Sequence, residues 1–196
     1  MRWRIIIAAV FAIQTLNAQP MNIHYMKQGY CYAASRVHDS SAAGGFAPSD
    51  NFPKPADNRI PFVLFAVTLK LFRETKAAPW ALYLSNGTAM ALELPALDSR
   101  LNIIAEAWVD EQWQPVEYLP SITCGNSKHK LVLSSKEYWK FPIPAYEGSL
   151  SARIRYKLQL PDGTTLYSND IAAGINREQL TIREEEYQKE QTQSHQ

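Results

Sequence analysis

Leu150-Ser151-Ala152-Arg153-Ile154-Arg155-Tyr156-Lys157-Leu158-Gln159-Leu160 alternates apolar and polar residues without a break. Leu150, Ala152, Ile154, Tyr156, Leu158 and Leu160 fall on one side. Ser151, Arg153, Arg155, Lys157 and Gln159 fall on the other. Successive side chains of a strand point to opposite faces, so the stretch predicts an antiparallel strand with one packed and one wet face. A helix would scatter the same residues round its circumference. Pro161-Asp162-Gly163 supplies a turn, and Thr164 to Ser168 returns the chain.

Upstream, Leu101 to Val109 repeats the pattern, with Leu101, Ile103, Ala105, Ala107 and Val109 on one face. A turn at Asp110-Glu111-Gln112 leads into Trp113 to Tyr118, where Pro115 predicts an edge strand. Lys130 to Leu133 and Tyr138 to Ile143 follow, the latter with Trp139, Phe141 and Ile143 on one face. Phe62 to Phe72 is almost continuously apolar and reads as a central strand buried on both faces. Trp80 to Leu84 and Met90 to Leu94 flank Asn86-Gly87, a dipeptide that favours a tight hairpin, and Pro95 ends the second run. Asn22 to Gln28 and Tyr30 to Ala34 read as short strands. Short strands between Gly, Pro, Asn and Asp turns predict an all-β fold, an antiparallel sandwich. Uneven strand lengths favour a sandwich over a closed barrel.

The N-terminus carries a different message. Met1-Arg2-Trp3-Arg4 is basic, Ile5 to Ile13 is apolar and uncharged, and Thr15-Leu16-Asn17-Ala18 places a small residue before Gln19. That three-part order predicts a cleaved secretory signal, and the apolar run is too short for a membrane span of ~20 residues. The chain therefore divides into a signal peptide (1–18), N-terminal strands with a long Gly/Pro-rich loop (19–59), a β-sandwich (60–176) and a polar tail (177–196). The tail reads as a short helix or a disordered end. The mature protein is expected in the periplasm or secreted, with no transmembrane segment after cleavage.

The 196 residues suit one domain, and 46% hydrophobic content is ordinary for a globular protein. The whole chain carries +1, and loss of Arg2 and Arg4 leaves 18 basic against 19 acidic residues, a charge of −1. Near-neutrality gives no electrostatic footprint for nucleic acid or anionic lipid. Export changes how the two cysteines read. In an oxidising compartment an even count invites pairing, and with two the connectivity is fixed as Cys31–Cys124. Such a bridge closes a loop of ~90 residues, at most ~4–5 kcal/mol in the chain-entropy model; two separate thiols are the alternative.

Glu106-Ala107-Trp108, Trp113 to Tyr118, Tyr138-Trp139 and Tyr146 to Tyr156 resemble the later half of immunoglobulin-like domains in secreted bacterial proteins. In those domains a Trp follows a tight turn, and a Gly-containing turn leads into an Arg-bearing strand near the end. The resemblance covers roughly residues 60–175 and implies location and architecture, with no activity attached. The stretch Cys124 to Ser127 with Glu137-Tyr138-Trp139 is similar to exported bacterial proteins and implies the same.

Chemistry-bearing groups are sparse. Cys124 and His129 sit five residues apart and could form a nucleophilic pair if a third group oriented the imidazole; bonding of Cys124 in a disulfide would remove the thiolate. Otherwise His129 reads as an exposed loop residue. His24, His38, His129 and His195 show no metal-ligand spacing, and no cofactor is expected. Ser127 to Lys130 matches Ser-x-x-Lys but lacks the helix that this pattern needs. Glu106, Asp110, Glu111 and Glu117 read as solvated strand residues rather than a glycosidase pair. Asn86-Gly87-Thr88 fits a glycosylation acceptor, though the turn explains it. The aromatics Trp108, Trp113, Tyr138 and Trp139 are the better candidates, since exposed rings on a sheet can stack on sugars or anchor a protein. The expectation is a non-enzymatic binding or structural module that meets a protein or glycan of the cell envelope. A carbohydrate-binding module and a small Cys/His hydrolase are the alternatives.

Overall fold

The computed structural model describes residues 20–21, 26–57, 62–73, 75, 80–119 and 125–181. Residues 1–18, read above as a signal peptide, Cys124 and the tail beyond 181 lie outside them. The first strands are short: β1 (Pro20–Met21), β2 (Met26–Lys27) and β3 (Lys54–Pro55). Next come β4 (Val67–Arg73), β5 (Trp80–Asn86), β6 (Leu92–Leu97), β7 (Arg100–Leu101) and β8 (Ile103–Val109). They are followed by β9 (Gln112–Pro115), β10 (Glu117–Tyr118), β11 (Lys128–Leu133), β12 (Glu137–Pro142) and β13 (Ala145–Tyr146). The last are β14 (Leu150–Gln159), β15 (Thr165–Tyr167) and β16 (Ile171–Ile175), ahead of one helical turn, α1 (Glu178–Thr181). The all-β expectation holds.

Three antiparallel sheets form the body, in the orders β11-β6-β7, β3-β12-β5-β4 and β15-β14-β8-β9, with β16 also on β14. Two short parallel pairings, β1 with β13 and β2 with β10, tie on the N-terminal segment. One apolar cluster draws on all three sheets: Leu82, Trp139 and Phe141 from the second, Leu94 and Leu133 from the first, and Ile103, Ile154 and Tyr156 from the third. Cys31 and Ala33 join it, so the N-terminal segment shares this core.

β14 follows its sequence pattern. Ala152, Ile154, Tyr156, Leu158 and Leu160 are buried, while Ser151, Arg153 and Gln159 are exposed. β8 does the same with Ile103, Ala105, Ala107 and Val109. β9 closes the edge of its sheet, where Pro115 needs no second ladder partner.

Three readings are corrected. The run from Phe62 is not one central strand: pairing begins at Val67, β4 is the edge of its sheet, and Leu69 and Leu71 are buried in the core with the partly buried Val67 packed against it. Val63, Leu64 and Phe65 form an exposed turn, with Phe65 at φ 65° and 86% exposed. The free edge of β4 is partly matched by a side chain, because Asn169 Oδ1 accepts from the Leu71 amide (2.8 Å) and its Nδ2 donates to the Leu71 carbonyl (3.2 Å).

Asn86-Gly87 does not make a hairpin, since β5 pairs with β4 and β12 while β6 pairs with β11 and β7. The dipeptide moves the chain between sheets. Asn86 is fully buried; its Nδ2 donates to the Met90 and Leu133 carbonyls, and its Oδ1 accepts from Thr88. This fixed, enclosed amide also argues against a glycan there. Pro95 lies inside β6, opposite Lys130 of β11, and β7 covers only Ala96 and Leu97 on the other side.

Candidate binding surface

The outer face of the β15-β14-β8-β9 sheet gathers the polar half of each alternating pattern. Asp110 and Glu111 both adopt positive φ (50° and 63°), which gives the β8–β9 hairpin a two-residue turn whose twist suits the flanking strands. That turn sets Trp108 directly opposite Trp113. Their rings meet with centroids 5.4 Å apart at 61°, an edge-to-face contact favoured by the ring quadrupoles.

Arg155 of β14 crosses this face. Its guanidinium carbon lies 4.1 Å from the centre of the Trp113 ring and 3.9 Å from that of Tyr167. Its Nε and Nη2 donate to Glu106 Oε2 at 3.0 and 2.8 Å, and Lys157 Nζ stands 3.5 Å from Glu106 Oε1. Planarity lets the guanidinium stack and hydrogen-bond at once, which an ammonium cannot do. The result is a row, Trp108, Trp113, Arg155 and Tyr167, reaching across β8, β9, β14 and β15. Trp108 is 41% exposed and Tyr167 45%. Beside Trp108, Arg153 pairs with Asp170.

The sequence-predicted aromatics therefore separate. Trp108 and Trp113 lie together on this face. Tyr138 and Trp139 are buried and lie away from this face. Trp139 is 0% exposed in the main core, with Nε1 donating to the Ala34 carbonyl (2.9 Å). Tyr138 is buried against Tyr83 on the other side of β12. Alternation explains the split, because neighbours on one strand face opposite ways. Arg155 and Tyr167 were missed as site residues; the wet face of Leu150 to Leu160 already carried Arg155.

Two carboxylates read as solvated are enclosed. Glu106 is 6% exposed beneath Arg155 and Lys157. Glu117 is 1% exposed: Tyr30 and Tyr146 donate their hydroxyls to its Oε1, and the Ala105 amide donates to Oε2 at 3.0 Å. Burial pushes its carboxyl up to about 7 against the opposing pull of these hydrogen bonds. Burial, with Glu117 adding to it, also raises Tyr30, Tyr146, Tyr156 and the Cys31 thiol. Asp110 and Glu111 are exposed turn residues, with Asp110 reached by Arg177 at 3.3 Å.

Cys31 is a free, fully buried thiol, and the structure shows no disulfide at it. The Cys124–His129 pair involves a residue outside those described. His129 is not an exposed loop residue: it lies in β11, buried, with its ring 3.8 Å from and nearly parallel to Phe46. Ser127 ends a short 3-10 turn before β11, so no helix runs from it to Lys130. Among the described residues no three His, Cys, Asp or Glu cluster as metal ligands.

Fold and surface define an all-β protein with an exposed aromatic and arginine row on one sheet. No protein-family model, curated protein or solved structure matches the chain.

Proposed function

We propose that the chain is an exported, non-enzymatic, immunoglobulin-like β-sandwich that acts as a binding module of the cell envelope or secreted fraction. Its partner, a protein or a glycan, meets it at the row from Trp108 to Tyr167. The observation that carries this reading is the exposure of Trp108 and Tyr167 on a face whose intervening side chains are fixed by Arg155. Rigid, half-exposed aromatics backed by a guanidinium lose little entropy on binding. The leader-like segment 1–18 supports export. Glu106 and Glu117, the carboxylates best placed for acid–base work, are already engaged by Arg155 and by two tyrosines.

Pull-down from an envelope extract with chain 19–196 tests the reading. The wild type should retain defined components that the W108A/Y167A variant loses. Identical capture by both would contradict it. Sequencing the N-terminus of the exported product should return Gln19, whereas unprocessed protein in the cytosol would contradict the export step.

A further inference from the structure

We infer that this face takes a carbohydrate, a short oligosaccharide of pyranose rings laid along the aromatic row, with Trp108 as its main stacking platform. The inference rests on the binding-module reading above and narrows it to one ligand class.

The surroundings of the rings decide between classes. A protein interface of ordinary size buries roughly 800 Å² per partner, and its core is depleted in Lys, Glu and Asp. Here the rings stand among charges: Arg153 and Asp170 beside Trp108, and Glu106 and Lys157 beside Arg155. An apolar protein anchor would have to strip water from all of these. A sugar displaces the same water but replaces its hydrogen bonds, because its rim of hydroxyls both donates and accepts. Arg153, with 63% of its side chain exposed, offers donors, and Asp170, 22% exposed, offers an acceptor within one ion pair. A ring with equatorial hydroxyls presents C–H bonds to an aromatic face and its hydroxyls outward to such a pair.

The row also sets a length. Trp108 lies opposite Arg153 and Tyr167 opposite Lys157, four residues further along β14. That places their backbones about 13 Å apart along the strand at ~3.3 Å per residue. One ring cannot reach both platforms, so affinity should rise with chain length. The row runs across an open sheet face, which suits a stretch within a polymer as well as an end.

Calorimetric titration with cello-oligosaccharides and chito-oligosaccharides of one to six units tests this, with malto-oligosaccharides as the bent comparison. The expected result is no measurable binding of the monosaccharide and rising affinity from two to four units in at least one series. Binding should be at least 10-fold weaker for W108A, partly restored in W108F, and weaker again for D170N. Tryptophan emission should shift to the blue on binding and fail to shift in W108A. Trp108 is partly exposed, so far-ultraviolet dichroism of W108A should match the wild type and make its loss of binding interpretable. If no series binds while W108A/Y167A still abolishes envelope capture, the carbohydrate inference falls and the binding surface stands, with a protein as partner. If the sugars bind wild type and W108A alike, the inference falls. If the sugars do not bind and capture is unaffected by the variant, both readings fall.

Discussion

Tyr146 donates its hydroxyl hydrogen to Glu117 inside the protein, where neither residue meets solvent to any useful extent. Glu117 belongs to β10 and Tyr146 to β13, the strands that carry the two parallel pairings of the N-terminal segment. Tyr30, just beyond β2, reaches the same carboxyl oxygen. The acid thus joins three distant parts of the chain beneath the place where the N-terminal segment docks.

The protonation of Glu117 makes stability depend on pH. Its carboxyl is raised from an ordinary 4.5 to about 7 by burial. Between those values the folded chain holds a proton that the unfolded chain has released. Stability is therefore fullest below about 4.5 as far as this group is concerned, falls as pH rises toward 7, and levels above it. The full span is on the order of 3 kcal/mol. Urea unfolding midpoints at a series of pH values should show the fall, and E117Q, close in shape and unable to ionise, should flatten it. An unchanged slope in E117Q would assign the dependence elsewhere.

Arg155 holds a carboxylate that is nearly closed to water, so its loss should cost more than a surface ion pair. R155A removes two ring contacts and leaves Glu106 with Lys157 alone. A destabilisation of about 2–3 kcal/mol is expected, set by the unpaired carboxylate and the lost stacking. R155K should recover only part, because an ammonium cannot stack flat between two rings while bonding Glu106. Chemical unfolding of the three proteins checks this order.

Gly87 is needed for closeness rather than for an unusual φ. A Cβ there would lie 1.9 Å from the Val63 carbonyl oxygen and 2.9 Å from that of Ala66. Backbone bonds hold the two segments together, Phe65 N to Gly87 O and Gly87 N to Ala66 O, both 2.8 Å. G87A must push the Val63–Ala66 turn away and is expected to cost about 2–3 kcal/mol. The loss should be visible as a lower unfolding midpoint and faster amide exchange at Phe65 and Gly87.

Local features of the chain were legible where one periodicity carried the information. The alternation of Leu150 to Leu160 gives both the buried row and the wet row that holds Arg155, and Leu101 to Val109 gives its neighbour. The run from Phe62 misled because apolar residues in a turn and in a strand look alike; no local pattern shows that Phe65 adopts a left-handed backbone against Gly87. Asn86-Gly87 carries turn chemistry, but the change of sheet rests on distant partners: β12 pairs with β5, β11 with β6, and the Leu133 carbonyl, 47 residues away, accepts from the Asn86 amide. Burial of Glu117 depends on Tyr30 and Tyr146, distant on either side, so no residue near it in sequence shows it. Pattern alone shows which residues share a face and not which face is inward, so the sequence does not tell that Trp139 is a core ring rather than a surface one.

Oxidative footprinting read by mass spectrometry tests the working surface most directly, since it reports each ring separately in the free and the ligand-bound protein. Trp108 and Tyr167 should be modified readily in the free chain and become protected when a bound oligosaccharide or envelope partner is present, while Trp139 stays unmodified in both. Ready oxidation of Trp139, or a bound state in which Trp108 and Tyr167 remain as reactive as before, would contradict the placement of the binding surface on this sheet.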